Sequence, residues 1–469
     1  MHDLTLVHRW LGILFCLLFA MWFASGIVMH FVPFPALTEA DRIEGLAAID
    51  GSAGLRSPAE AASVINDAVR VRLLQRIDRP VYLVSGGAGV KALGADDLSD
   101  ASVRSEELAL AIAIDHARRR KMDATHAAFT ERAAVDQWTV SGAFDRHRPL
   151  YRIALNDDAG SELYVSSSTG EVVGDTTRRE RVWNYVGSVA HWIYPTVLRS
   201  RAGIWNTAVW SLSLAALIAA LAGSLLGVLK IKSGTSISPY QGWHKWHHLL
   251  GLACMVFVVS WIFSGWLSMD SGRLFSTGAP TSAETAKLAG VPLWNDVSEW
   301  RPSAAVKEIE WFRFDGKIYR RERTGLDAQR LVAIGAGAAA APQAFLMASE
   351  ISAAVGRMAG VCETPTVVVA DDSYAVHSSM PHAPVYRSMC GDVWYHVDGA
   401  SGALLERSDR SSRAYRWLYS ALHTMDISAL KARPSLRSAL IVILCGFGLA
   451  FSLTGVVIGW RRLRLQFSA

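Results

Sequence analysis

Charge is missing from four stretches of this 469-residue chain: residues 10–29, 204–229, 249–267 and 438–460. Each is close to the roughly 20 apolar residues needed to cross a hydrocarbon core. Backbone polar groups at that depth must be satisfied within the segment, so all four read as membrane helices. No span holds an acidic residue, which counts against an ion-coupled transporter. The chain also lacks a glycine-rich nucleotide loop, a His-Glu-x-x-His helix motif and a nucleophile elbow. These absences argue against a nucleotide-driven enzyme, a zinc protease and a serine hydrolase. Cysteine is scarce, with five in all. Cys16, Cys254 and Cys445 fall in spans, while Cys362 and Cys390 share the second long loop. An oxidising compartment permits a disulfide between that pair, and two free thiols are the alternative.

Nearly all of the 42 acidic residues lie in two long loops, about 31–181 and 270–413. The short connection after the second span carries Lys230, Lys232 and Lys245, and the C-terminus carries Arg461, Arg462 and Arg464. Basic short segments stay in the cytoplasm. The expectation is a multi-pass protein of a bacterial inner membrane, with both termini cytoplasmic and two large periplasmic loops. The net charge of +5 then reflects topology and suggests no nucleic-acid partner; the expected neighbour is membrane lipid. The first span reads as an uncleaved anchor, because it is too long for a signal-peptide core and no small-residue cleavage site follows it. An alanine-rich run at 331–347, interrupted by Pro342, reads as part of a soluble segment.

An internal duplication organises the chain. A shift of 232 residues places Gly170 on Gly402, Arg181 on Arg413, His191 on His423, Arg199 on Lys431, Arg201 on Arg433, and Gly223 and Gly227 on Gly455 and Gly459. A shift of 239 places His8 on His247, Gly12 on Gly251, Trp22 on Trp261, and Ser25-Gly26 on Ser264-Gly265. Each copy therefore contains a span, an outer domain, an interfacial segment and a second span. Parallel repeats share an axis along the membrane normal. The loops read as α+β. Strands are expected at 79–84, 150–155 and 163–165, a helix at 107–119, then strands at 311–314, 317–319 and 393–397, with turns at Gly170, Gly316 and Gly402. The predicted fold class is a membrane all-α four-helix bundle of two parallel repeats, carrying two α+β periplasmic domains. Its parts are a first helix (1–31), outer domain one (32–180), an interfacial segment with the second helix (181–230), a cytoplasmic loop with the third helix (231–269), outer domain two (270–412), and a closing segment with the fourth helix (413–469).

Seven of the 14 histidines sit at or near span ends: His8, His30, His191, His244, His247, His248 and His423. Ionisable groups at membrane depth are costly and tend to mark function, and neutral imidazole is an iron ligand. Paired imidazoles suit a haem that carries electrons. Repeat symmetry sets His8 opposite His247, with Gly12 and Gly251 one turn along as small neighbours and with Arg9 and Lys245 to meet propionates. The same symmetry sets His191 opposite His423 on the other face, followed by Arg199, Arg201, Lys431 and Arg433. His30, whose repeat mate is Met269, is a rival ligand on that face, and His244 and His248 are lower-ranked candidates. The blander account is that interfacial histidines bond lipid headgroups or backbone carbonyls, and that aromatic and glycine-rich faces simply pack. The chain has no Cys-x-x-Cys-His motif, so one or two haems here would be of b type.

Several of these segments resemble the PepSY-associated transmembrane family, also called iron-regulated membrane proteins. The likeness lies in His8-Arg9-Trp10-Leu11-Gly12, His191-Trp192-Ile193-Tyr194-Pro195, the run from His244 to Gly251, and Leu453-Thr454-Gly455. Residues 164–173, with the Thr169-Gly170-Glu171 turn, are similar to the end of a PepSY domain, so the outer domains are expected to be PepSY-like. The resemblance implies a haem-b electron-transfer protein and a ferric-chelate oxidoreductase that reduces ferric siderophore in the periplasm. Its electron donor is not named by any flavin or nicotinamide fingerprint. His8, His247, His191 and His423 would be its haem ligands. Thr424-Met425-Asp426 departs from Trp192-Ile193-Tyr194 in the repeat. PepSY domains are also linked with peptidase regulation, so the alternative is a membrane-anchored regulator without redox activity.

Overall fold

The uncharged stretches become four long helices, His2–Phe31, Ala202–Leu229, Gly242–Leu267 and Pro434–Phe467, all apolar enough to cross a membrane. A computed structural model describes residues 2–51, 54–87, 89–232, 237–270, 275, 278–291, 294, 297, 303, 305–335 and 341–467. Residues 233–236 of the basic connection and 336–340 of the alanine-rich run lie outside the described residues. Each helix runs past its uncharged stretch at one or both ends. Even the shortest, at 26 residues, extends about 39 Å at 1.5 Å per residue, more than a hydrocarbon core of about 30 Å.

The helices form a ring, the first against the second and fourth, the third likewise against the second and fourth. Phe15, Phe23, Val258 and Trp261 fill its interior. Leu14, Leu17 and Val256 point outward, as suits contact with lipid. The segments before the second and fourth helices repeat residue for residue at the 232 offset. Arg178–Asn184 and Arg410–Arg416 are α-helical. The next five residues, Tyr185–Val189 and Trp417–Ala421, widen into π-helical turns. Short helices at Thr196–Arg199 and Ser428–Lys431 complete the match. π-Turns are rare and tend to occur at functional positions.

A second unit comprises 35–179 and 278–410. Its first part contributes β1 (Arg70–Gln75), β2 (Pro80–Gly86), β3 (Gly89–Gly94), β4 (Ala128–Ala133), β5 (Leu150–Ala154), β6 (Glu162–Ser166) and β7 (Val172–Thr176). Its second part contributes β8 (Glu308–Phe314), β9 (Lys317–Arg323), β10 (Gln329–Ile334), β11 (Thr366–Val367), β12 (Val385–Cys390), β13 (Val393–Asp398) and β14 (Leu404–Ser408). Two four-stranded antiparallel sheets, β4-β5-β6-β7 and β11-β12-β13-β14, are repeat equivalents. Helix Glu106–Arg119 packs on the first of these and is capped by Ser105, which accepts from the Leu108 amide. Gly170 and Gly402 close the equivalent turns with φ of +72° and +66°, a conformation that favours glycine. Cys362 and Cys390 are disulfide-bonded.

The third sheet corrects the expected fold class. It has six strands in the order β10-β9-β8-β1-β2-β3, so β1 of the first loop pairs antiparallel with β8 of the second. With fourteen strands among the described residues the chain is α+β, not an all-α membrane bundle, and the two loops build one unit rather than two independent domains. Burial explains the joining. Val71 and Leu73 of β1 share one core with Val306, Ile309 and Trp311 from the other loop. On the opposite face the arginines of β1 meet acids of β8. Arg72 reaches Glu308 at 2.6 Å and Glu171 at 2.8 Å, and Arg42 reaches Glu308 at 2.8 Å. Arg323 adds a 3.2 Å contact to Glu308, and Glu310 pairs with Arg70 and Arg321. Burial alone would raise the Glu308 carboxyl, but the Arg42 and Arg72 charges outweigh it and hold it well below the usual carboxylate range. β1 escaped the sequence reading because its alternating arginines look like a solvated face.

Candidate metal centres

Two pairs of imidazoles come together inside the membrane unit, tilted in one pair and edge to face in the other. The ring centroids of His8 and His247 are 6.3 Å apart, and those of His191 and His423 are 6.2 Å apart. The partners in each pair are 239 and 232 residues apart in sequence and come together only because the duplicated helices pack around a common axis.

All four rings are seated in the same way. Each presses its Cε1 edge against a glycine backbone. A Cβ on Gly223 would lie 2.4 Å from His8 Cε1, and on Gly455 3.5 Å from His247 Cε1. On Gly26 it would lie 3.7 Å from His191 Cε1, and on Gly265 3.2 Å from His423 Cε1. Gly12 and Gly251, the small neighbours expected from the sequence, do not do this. A Cβ on Gly12 would meet nothing, and one on Gly251 would meet Phe451.

Hydrogen bonds at Nδ1 constrain the tautomer of these rings. His8 Nδ1 lies 3.1 Å from the Ala219 carbonyl, which can only accept, so Nδ1 carries the hydrogen. His247 Nδ1 lies 2.9 Å from Thr454 Oγ1, whose own hydrogen goes to the Phe451 carbonyl at 2.6 Å. His191 Nδ1 lies 3.0 Å from Ser25 Oγ, which donates to the Met21 carbonyl at 2.6 Å. His423 Nδ1 lies 3.1 Å from Ser264 Oγ, which donates to the Trp261 carbonyl, and 3.2 Å from that same carbonyl. A hydroxyl that has spent its hydrogen offers only a lone pair. The carbonyls behind His8 and His423 require a hydrogen on Nδ1, which leaves Nε2 unprotonated, the form a metal ion takes, and the bonds that Ser25 and Thr454 donate to carbonyls are compatible with the same form for His191 and His247.

The other candidates are placed elsewhere. His248 is engaged at both nitrogens, Nδ1 with Ser238 at 2.9 Å and Nε2 with the Gly227 carbonyl at 2.8 Å. His30 Nε2 bonds Ser438 Oγ at 2.8 Å. The exposed His244 ring lies 6.5 Å from Tyr240. Met269 gives its backbone carbonyl to Asn206. Among the propionate candidates, Arg199 stacks on Tyr194 and Trp205, Lys431 pairs with Asp426 at 3.5 Å, and Arg9, Lys245, Arg201 and Arg433 are exposed. Aromatic rings flank the pairs: Phe451 stacks on His247 with centroids 4.8 Å apart, and Tyr419 on His423 at 5.6 Å. Sequence reasoning noted the Ser-Gly repeat match but missed that Ser25, Ser264 and Thr454 hold the imidazoles. The recurrence of Ser-Gly at the 239 offset was the available signal.

These geometries can be tested against a metal. Imidazole nitrogens bind first-row metals at about 2.0 Å, and centroid separations of 6.3 and 6.2 Å would leave room for one metal ion between the partners of each pair. Among the described residues no three His, Cys, Asp or Glu side chains converge as a bare metal site. The donor set would suit a haem, whose macrocycle supplies the other ligands, and His8 with His247 and His191 with His423 would be the residues to hold it.

Comparison with curated proteins finds no match to this chain. The family profile described as PepSY-associated TM region matches residues 5–462, nearly the whole length, and the protein is a membrane protein belonging to that family.

Proposed function

We propose that this protein is a b-type haem electron-transfer protein of a bacterial inner membrane that reduces ferric chelates, such as ferric siderophores, on the periplasmic side. The observation that carries the reading is the close pairing of imidazoles, found twice, with each Nδ1 bonded to a backbone carbonyl or a buried hydroxyl. Held by these imidazoles, a haem would supply one-electron redox chemistry.

What the chain supplies is placement. His8 and Ser25 are 17 residues apart in the first helix, as are His247 and Ser264 in the third, a rise of about 26 Å. The two imidazole pairs would thus lie near opposite faces of a core about 30 Å thick. Phe15, Phe23, Val258 and Trp261 fill the interior of the bundle and exclude water. The basic short segments support cytoplasmic termini, and with them periplasmic loops and an electron donor on the inner side. The substrate logic is that of hard and soft ions. Oxygen chelators hold Fe(III) tightly and Fe(II) weakly, so one electron releases the metal. The soluble unit is then the part that meets the ferric chelate.

The test is an oxidised and dithionite-reduced absorption spectrum of the detergent-purified protein, with a pyridine haemochrome count. Two b-type haems per chain and reoxidation of the reduced protein by a ferric chelate are the expected results. Absence of haem after haem-replete expression would overturn the reading and favour a membrane-anchored regulator of a periplasmic peptidase.

A further inference from the structure

The hydroxyls behind the imidazoles have a role beyond orientation. We infer that Ser25 and Ser264 are positioning residues that set the reduction potential of the group held by His191 and His423, and that Thr454 does the same through His247. This rests on the haem reading above.

Ser25 and Ser264 are 1% and 0% exposed, so bulk water does not compete with either hydroxyl as an acceptor. Each sits one residue before the glycine that seats its histidine, and the two positions are repeat equivalents. An Nδ1–H that donates to a fixed acceptor makes Nε2 a stronger electron donor, which favours ferric over ferrous iron. Loss of the acceptor should therefore raise the potential. The two sides differ in what remains. Ser25 Oγ is the acceptor bonded to Nδ1 of His191, whereas His423 Nδ1 also has the Trp261 carbonyl at 3.2 Å. The His8/His247 pair is built differently again, with a backbone carbonyl behind one ring and Thr454 behind the other. Ala222 occupies the repeat position of Thr454, so side-chain tuning at that pair acts on one ring only.

The experiment is a potentiometric titration of the purified full-length protein, followed through the reduced α-band, with low-temperature electron paramagnetic resonance of the oxidised form. Wild-type protein is measured first. If it holds no haem, the functional reading fails before any variant is compared. With haem present, Ser25→Ala should shift one of the two midpoints upward and alter one set of g-values, and Ser25→Thr should restore both. Ser264→Ala should shift the same midpoint by less, because the Trp261 carbonyl remains. Thr454→Val should shift the other midpoint and leave the first unchanged. Should Ser25→Ala lose its haem, Ser264→Ala decides by the same two readouts. Wild-type midpoints and g-values in haem-replete Ser264→Ala and Thr454→Val would overturn the inference while leaving the haem assignment intact.

Discussion

Gly223→Ala should empty the site formed by His8 and His247 while leaving the other pair untouched. The added Cβ would sit 2.4 Å from His8 Cε1 and 2.9 Å from its Nδ1, where ordinary contact begins at about 3.4 Å. The ring must retreat by about 1 Å, several times the ±0.2 Å within which a metal–ligand bond is expected to stay. Alanine is the better helix former by about 1 kcal/mol, so the second helix itself is not weakened. The repeat equivalent supplies the control. A Cβ on Gly455 would lie 3.5 Å from His247 Cε1, an ordinary contact, so Gly455→Ala should be silent. Pyridine haemochrome counts on the two purified variants read the outcome directly. Gly223→Ala should carry half the wild-type haem and a single midpoint, and Gly455→Ala the full complement. Full haem with both midpoints unchanged in Gly223→Ala would refute the placement of His8 as a ligand.

The strand-rich unit yields three further expectations. Glu308→Gln removes the carboxylate that Arg42, Arg72 and Arg323 share in a buried cluster, and should cost roughly 3–5 kcal/mol, read as a lowered unfolding midpoint in urea or heat. Acid should destabilise the unit between about pH 6.5 and 4. Burial and the Arg120 charge push His116 down to about 4, and burial and Arg387 do the same to His396. The unfolded chain binds these protons first, so stability falls as pH falls through that window, by about 3 kcal/mol for His116 alone; a His116→Gln variant should show a flatter pH profile. Reducing the Cys362–Cys390 bond, with its sequence separation of 28, should cost roughly 3–4 kcal/mol in the chain-entropy account, visible as earlier thermal unfolding in dithiothreitol.

The sequence by itself determined the four spans, because a membrane helix must be uncharged over its whole crossing and that demand is local. It determined the duplication, because repeat equivalents keep their residues, and through it the partners His8 with His247 and His191 with His423. It also marked β2, β5, β6 and β13 by their alternation, and the turns at Gly170 and Gly402 by the residue type that a positive φ favours. Only the tertiary structure decided that the two loops form one unit. The β1–β8 pairing joins segments some 240 residues apart, and nothing near Arg70 or Glu308 records the partner. Only the structure chose Gly223 and Gly455 over Gly12 and Gly251 as the seats of the first pair. A glycine four residues from a histidine shares its helix face, but which backbone the ring touches depends on how neighbouring helices pack. The π-turns before His191 and His423, and the hydroxyls of Ser25, Ser264 and Thr454 at Nδ1, belong to the same class. The hydroxyl bonds are contacts between helices and the π-turns pack against the first and third helices, so both depend on packing geometry rather than on the local run of residues alone.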